Sequence, residues 1–137
     1  MIQLHPQLAK DCHQLGKLPE SILLLHKNSI ITWFILVPQT QLTDLLDLPE
    51  EQRNRVMAEC SLVSGFIRKQ FGSPKINFGA IGNLVPQMHL HVIGRNPDDA
   101  CWPQPVWGNL ESFESYDEDE ISQIIKALKA DCGLNTE

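Results

Sequence analysis

The apolar positions of this chain follow two different periods, and the changes between them mark out its elements. Over "DLPEEQRNRVMAECSLVSGFIRKQFG", residues 47–72, Val56, Cys60, Val63, Ile67 and Phe71 recur at helical spacing and form one apolar stripe. Asp47 is the candidate cap, Pro49 and two glutamates occupy the first turn, and Gly72 supplies the stop. A second amphipathic helix is predicted over residues 116–133, with Ile121, Ile124, Ile125 and Leu128 on its buried face. Residues 6–15, "PQLAKDCHQL", open with Pro6 at a first-turn position and close before Gly16, which predicts a short helix. Four runs are instead short and rich in β-branched or aromatic residues: 21–28, 32–38, 75–82 and 88–94. Each reads as a strand, and Pro38 ends the second. Strands in close pairs, with long helices between the pairs, predict an α+β domain built on an antiparallel sheet.

Composition narrows the class. The 137 residues, with no visible repeat, linker or low-complexity tract, are expected to form a single domain spanning 1–137. A formal net charge of -6 argues against a nucleic-acid partner, whose phosphates it would repel. No apolar stretch is long enough to cross a bilayer, so no membrane partner is expected, and the N-terminus lacks the basic-then-apolar pattern of a secretory signal. The four cysteines are scattered without a CxxC pair. They are expected to be reduced thiols in a cytoplasmic protein.

Candidate chemistry concentrates in "QMHLHVIGR", residues 87–95. In a strand, residues two apart point the same way, roughly 6.6 Å apart along the backbone. His89 and His91 are therefore expected side by side, with Gln87 next in the row. Paired imidazoles serve either as metal ligands or as a nucleophile with a tuning neighbour. A metal needs further ligands, and Asp98, Asp99 and Glu111 stand at no recognisable spacing from the pair. No metal or other cofactor is therefore expected.

The stretch "GNLVPQMHLHVIGR", residues 82–95, followed by "CWPQPVWG", resembles the signature of the histidine triad (HIT) superfamily of nucleotide hydrolases and transferases. The likeness extends over about residues 20–108. It implies a sheet of about five antiparallel strands with a long helix packed on it and a C-terminal helix. It also implies that His89 attacks the α-phosphate of a small nucleotide, giving a covalent nucleotidyl-histidine that water resolves, while His91 hydrogen-bonds a phosphate oxygen. Nucleotide contacts are then expected from Asn28, Asn77, Gly82, Asn83 and Trp102, and relatives of this kind pair as homodimers through the long helix and an edge strand.

Four departures from the family pattern accompany the likeness. Gln87 replaces the first triad histidine and can donate a hydrogen bond without passing on a proton, so amine leaving groups are expected to be poor substrates. Asn83 and Leu84 replace a Gln and a hydroxyl residue, Trp33 replaces a histidine on the early strand, and Asn28 is the match for the ribose-binding acid or Asn. Three functions follow as expectations: an enzyme acting at the α-phosphate, a nucleotide-binding protein with weakened turnover, or a metal-binding domain using His89 and His91.

Overall fold

The computed structural model describes residues 2–137. Its centre is a five-stranded, wholly antiparallel sheet in the order β1-β2-β3-β5-β4. The strands are β1 (Cys12–Lys17), β2 (Ser21–His26), β3 (Thr32–Pro38), β4 (Lys75–Gly79) and β5 (Leu90–Arg95). Three α-helices accompany them: α1 (Pro6–Asp11) before β1, α2 (Glu50–Phe71) between β3 and β4, and α3 (Glu118–Cys132) after β5. The α+β architecture is the expected one.

Two local expectations fail for identifiable reasons. The predicted helix over 6–15 stops at Asp11, and Cys12 turns into extended backbone at φ -132°, ψ 152°. From there the chain pairs with β2, and burial of Cys12 and Leu15 on opposite faces outweighs the helical pattern. Asp47 does not cap α2. It lies in a 3₁₀ turn, Leu45–Asp47, and the cap position falls on Pro49, which has no side-chain acceptor. Gly72 does end the helix, in the left-handed conformation at φ 68° that costs glycine little. The C-terminal helix starts at a reciprocal capping box between Asp117 and Glu120.

The sheet separates two apolar layers, and this separation positions the site. Leu23, Leu25, Phe34, Leu36, Leu90 and Val92 face Val56, Cys60, Val63 and Ile67 of α2 and Leu128 of α3. Val56, Val63 and Ile67 are fully buried, each worth about 1.5–3 kcal/mol of transfer free energy. Ile121, Ile124 and Ile125 pack at the margin of this layer, partly buried. Ile22, Leu24, Trp33, Ile35 and Ile93 face the other way, toward Leu8 of α1 and Val106. That second layer is incomplete, and the gap in it is a cavity.

Candidate active site

The cavity has a volume of about 850 Å³ and is lined by the β2, β3 and β5 face, by α1, and by the loops around residues 81–85 and 106–110. His89 and His91 both open into it, with ring centroids 4.9 Å apart at 70°. They are not two residues of one strand. β4 ends at Gly79 opposite His91, and the ladder of β5 begins at Leu90, so His89 stands just before the strand. The inside–outside alternation nevertheless persists, with Met88, Leu90 and Val92 packed on the helix side.

Each imidazole has one nitrogen fixed by its partner. His89 Nδ1 lies 2.7 Å from the backbone carbonyl oxygen of Gln87. A carbonyl only accepts, so Nδ1 carries a proton, and in the neutral ring Nε2 keeps its lone pair. His91 has the opposite arrangement: the indole Nε1–H of Trp33 donates to its Nδ1 at 3.0 Å. Indole only donates, so the neutral His91 ring carries its proton on Nε2. Burial, reinforced by the nearness of His89 and His26, pushes the His91 pKa down to about 3, so the ring stays neutral at physiological pH. The site thus pairs a nitrogen lone pair with a ring N–H donor.

Trp33 stands at the centre of an aromatic cluster. Its indole stacks on His26 at 4.4 Å and 14°, and Trp107 meets it edge-on at 6.2 Å. Trp107 also meets the His91 ring edge-on at 5.1 Å. The approach depends on Gly79, where a Cβ would stand 3.2 Å from Trp107 Cη2. His26 Nδ1 accepts the backbone N–H of Asn28 at 3.1 Å, and burial holds its pKa below the ordinary value. His5 lies at another wall of the cavity, its Nδ1 accepting the backbone N–H of Gln7 at 3.0 Å. Among the described residues no lysine or arginine lines the cavity, and Asp11 is the one carboxylate in its wall.

The other residues singled out by sequence divide. Gly82 and Asn83 line the cavity, and so does Leu84, which is 96% exposed. Asn28 lines it too, but its side chain is committed to backbone: Nδ2 donates to Ser112 O, and Oδ1 accepts from Ile30 N and Glu114 N. Gln87 corrects the expected row of three. Its amide turns away from the cavity, accepting from His5 N at 2.7 Å and donating to Gln3 O at 2.9 Å. What Gln87 contributes beside His89 is its backbone carbonyl.

Asn77 and Trp102 lie outside the cavity, around Arg95. Arg95 is only 1% exposed and forms a two-point pair with Asp99, Nε–Oδ2 2.8 Å and Nη2–Oδ1 3.1 Å. Asn77 Oδ1 accepts from its Nη1 at 2.8 Å, and the Trp102 ring covers the guanidinium at 5.5 Å. Burial pushes the Asp99 carboxyl up, but hydrogen bonds from Arg95 and from the Asn96 and Cys101 amides outweigh it and hold the pKa at about 2. Among the described residues, no group of three or more His, Cys, Asp or Glu side chains is placed to hold a metal ion. His89 and His91 therefore lack a third ligand of those types. Nor is any described helix long and apolar enough to cross a membrane.

The chain as a whole is similar to known proteins. The HIT domain family matches residues 7–98. A histidine triad protein from Bradyrhizobium japonicum superposes with a TM-score of 0.87 at 38% identity, covering 94% of this chain and 96% of the other. One from Marinobacter aquaeolei gives a TM-score of 0.87 at 38% identity, with 95% of each chain covered. One from Sinorhizobium meliloti gives 0.88 at 32% identity, covering 94% and 96%. The search of curated proteins gave no match.

Proposed function

Because this chain belongs to the HIT domain family, we propose that it is a nucleotide hydrolase or nucleotidyl transferase acting through His89. A nucleoside phosphate derivative occupies the 850 Å³ cavity with its α-phosphate toward the two imidazoles. The Nε2 lone pair of His89 forms a bond to phosphorus, and the bond from phosphorus to the leaving group breaks. That electron pair departs with the leaving group, which takes up a proton from solvent. His91 Nε2–H donates to a phosphoryl oxygen as negative charge shifts onto it. In the second half, water oxygen bonds to phosphorus and releases a proton to solvent. The nitrogen–phosphorus bond breaks and its pair returns to Nε2, freeing a nucleoside monophosphate.

One observation carries this reading: the opposite hydrogen-bond partners of the two rings, an acceptor at His89 Nδ1 and a donor at His91 Nδ1. The Gln87 carbonyl at 2.7 Å leaves His89 a lone pair, and the Trp33 indole at 3.0 Å leaves His91 an N–H. A metal site needs lone pairs from both rings, whereas covalent attack on a phosphate needs one nucleophile and one donor. The test is turnover of a panel of adenosine 5′-phosphoramidates and dinucleoside polyphosphates. Activity lost in His89→Ala and reduced in His91→Ala, with both variants folded, is the expected result. Unchanged turnover in His89→Ala refutes it.

A binding protein with weakened turnover is the second reading. It draws on two observations: Leu84 presents no hydroxyl at the cavity rim, and the Gln87 amide faces away from it. Nucleotide binding without any turnover would select it. We further propose that the chain pairs as a homodimer, because Met57, Leu62 and Phe71 leave apolar surface exposed on α2 and β4 is an open sheet edge. Four unpaired thiols fit a cytoplasmic setting.

A further inference from the structure

We propose that His5 supplies a hydrogen bond to the phosphoryl oxygens of the bound nucleotide, and that Gln87 is the residue that holds it in place. The inference rests on the nucleotide reading above and deepens it. Gln87 occupies the first triad position, yet its side chain is spent on a segment 82 residues away in sequence. Its two amide contacts, Oε1 with His5 N and Nε2 with Gln3 O, treat the N-terminal segment as a strand treats its neighbour. An amide suits this task, with an adjacent donor and acceptor pointing the same way. An imidazole, whose two nitrogens diverge, does not.

The clamped segment is well anchored. Ile2 N donates to Gln39 Oε1 at 3.1 Å, and Leu8 is buried against the sheet at 5% exposure. Anchoring brings His5 into the wall of the cavity that holds His89 and His91. Its Nδ1 accepts from Gln7 N at 3.0 Å, so the neutral ring carries its proton on Nε2. No partner is found for that Nε2 among the described residues.

The charge of the cavity gives this donor its task. A phosphate entering the site meets no lysine or arginine, and the carboxylate of Asp11 lies in the wall. Neutral N–H groups must then offset the phosphate charge, and a hydrogen bond to an ionised group is about twice as strong as a neutral one. His91 supplies one such N–H, and His5, which lines the same cavity, supplies another. The cavity thus gains a histidine from the N-terminal segment where position 87 offers none.

The experiment is isothermal titration of the protein with adenosine 5′-monophosphate and, separately, with adenosine. His5→Asn is the informative variant, because the asparagine carbonyl still accepts from Gln7 N while the ring N–H is gone. Gln87→Ala is the second, because it frees the segment and leaves His5 intact. His5→Asn is expected to weaken monophosphate binding about 10–100-fold with adenosine binding and the melting midpoint unchanged. Gln87→Ala should shift the same ligand in the same direction, and the double variant should be no weaker than His5→Asn. Monophosphate affinity unaltered in His5→Asn overturns the proposal, as does an equal loss for both ligands. If the unaltered protein binds the monophosphate no better than adenosine, phosphate recognition itself fails. The nucleotide reading then falls, and this inference with it.

Discussion

The Trp33–His91 hydrogen bond is the part of the site whose removal is easiest to quantify. Trp33→Phe keeps an aromatic ring against His26 and Trp107 and removes the donor that fixes His91 Nδ1. Both residues are buried, Trp33 at 8% and His91 at 5% exposure, so water reaches the orphaned nitrogen poorly. Stranding it costs about 1–3 kcal/mol. The smaller ring gives up part of an aromatic contact worth about 0.5–1.5 kcal/mol. At about 3–4 °C per kcal/mol for a domain of this size, the melting midpoint should fall by roughly 5–15 °C. The effect on chemistry should be smaller than that of deleting His91. Losing one transition-state donor typically costs about 10²–10³-fold, but here the Nε2–H tautomer stays available and only its fixation is lost. A decrease near tenfold in kcat/KM for adenosine 5′-phosphoramidate is expected, together with mixed Nδ1/Nε2 protonation of His91 by nitrogen-15 NMR. Full activity with His91 Nδ1 still unprotonated would refute the role given to Trp33.

Further outcomes follow from the same geometry. The depressed His91 pKa, about 3 against 6.5 unfolded, means that the unfolded chain binds more protons between those values. Stability should therefore be complete above pH 6.5 and fall as pH drops toward 3, by up to about 1.4 kcal/mol per pH unit from this residue, with a shallower fall in His91→Gln. Arg95→Ala strands the Asp99 carboxylate and should cost about 3–5 kcal/mol by denaturant unfolding; a loss below 1 kcal/mol would show that Asp99 is solvated. Amine leaving groups should react more slowly than pyrophosphate in a kcat/KM series, because the Gln87 amide is occupied elsewhere. For the same reason Gln87→His should not flatten that dependence, and a flattened slope would place position 87 in the proton path. Glu59 is buried, and burial raises its pKa, although its Oε2 accepts from Glu20 N. Glu59→Gln keeps an acceptor there and should raise the melting midpoint at pH 8, with the gain vanishing in acid where the carboxyl is neutral.

The sequence exposed what local periodicity records. The stripe on α2, the run of β3 and the alternation around His89 were all legible because each element buries one face or a continuous apolar run. The strand β1 was hidden, since "CHQLGK" carries little β signal and is ordered by pairing with β2. At the site, the two histidines of the motif were visible, as were Asn28, Trp33, Gly82 and Asn83 on the cavity wall, whereas His26 and His5 were not. His26 ends the run "SILLLH", buried on both faces, where alternation gives no hint that one residue opens into a cavity. His5 reaches the site through a clamp spanning 82 residues, which no spacing rule can register. The roles of Asn77 and Trp102 failed to appear in the sequence because both depend on Arg95 being buried, and burial of a charge is decided by tertiary contacts.

The central claim is that His89 Nε2 becomes covalently attached to the nucleotide. Acid-quenched mixtures of the protein with adenosine 5′-phosphoramidate or a dinucleoside polyphosphate, sampled over milliseconds to seconds, can be read by intact-mass spectrometry and peptide mapping. The account predicts an adenylyl adduct confined to the peptide containing His89, carried on Nε2, formed before the first turnover is complete and absent from His89→Ala. Steady turnover with no adduct at any time, or an adduct on another residue that persists in His89→Ala, would contradict it.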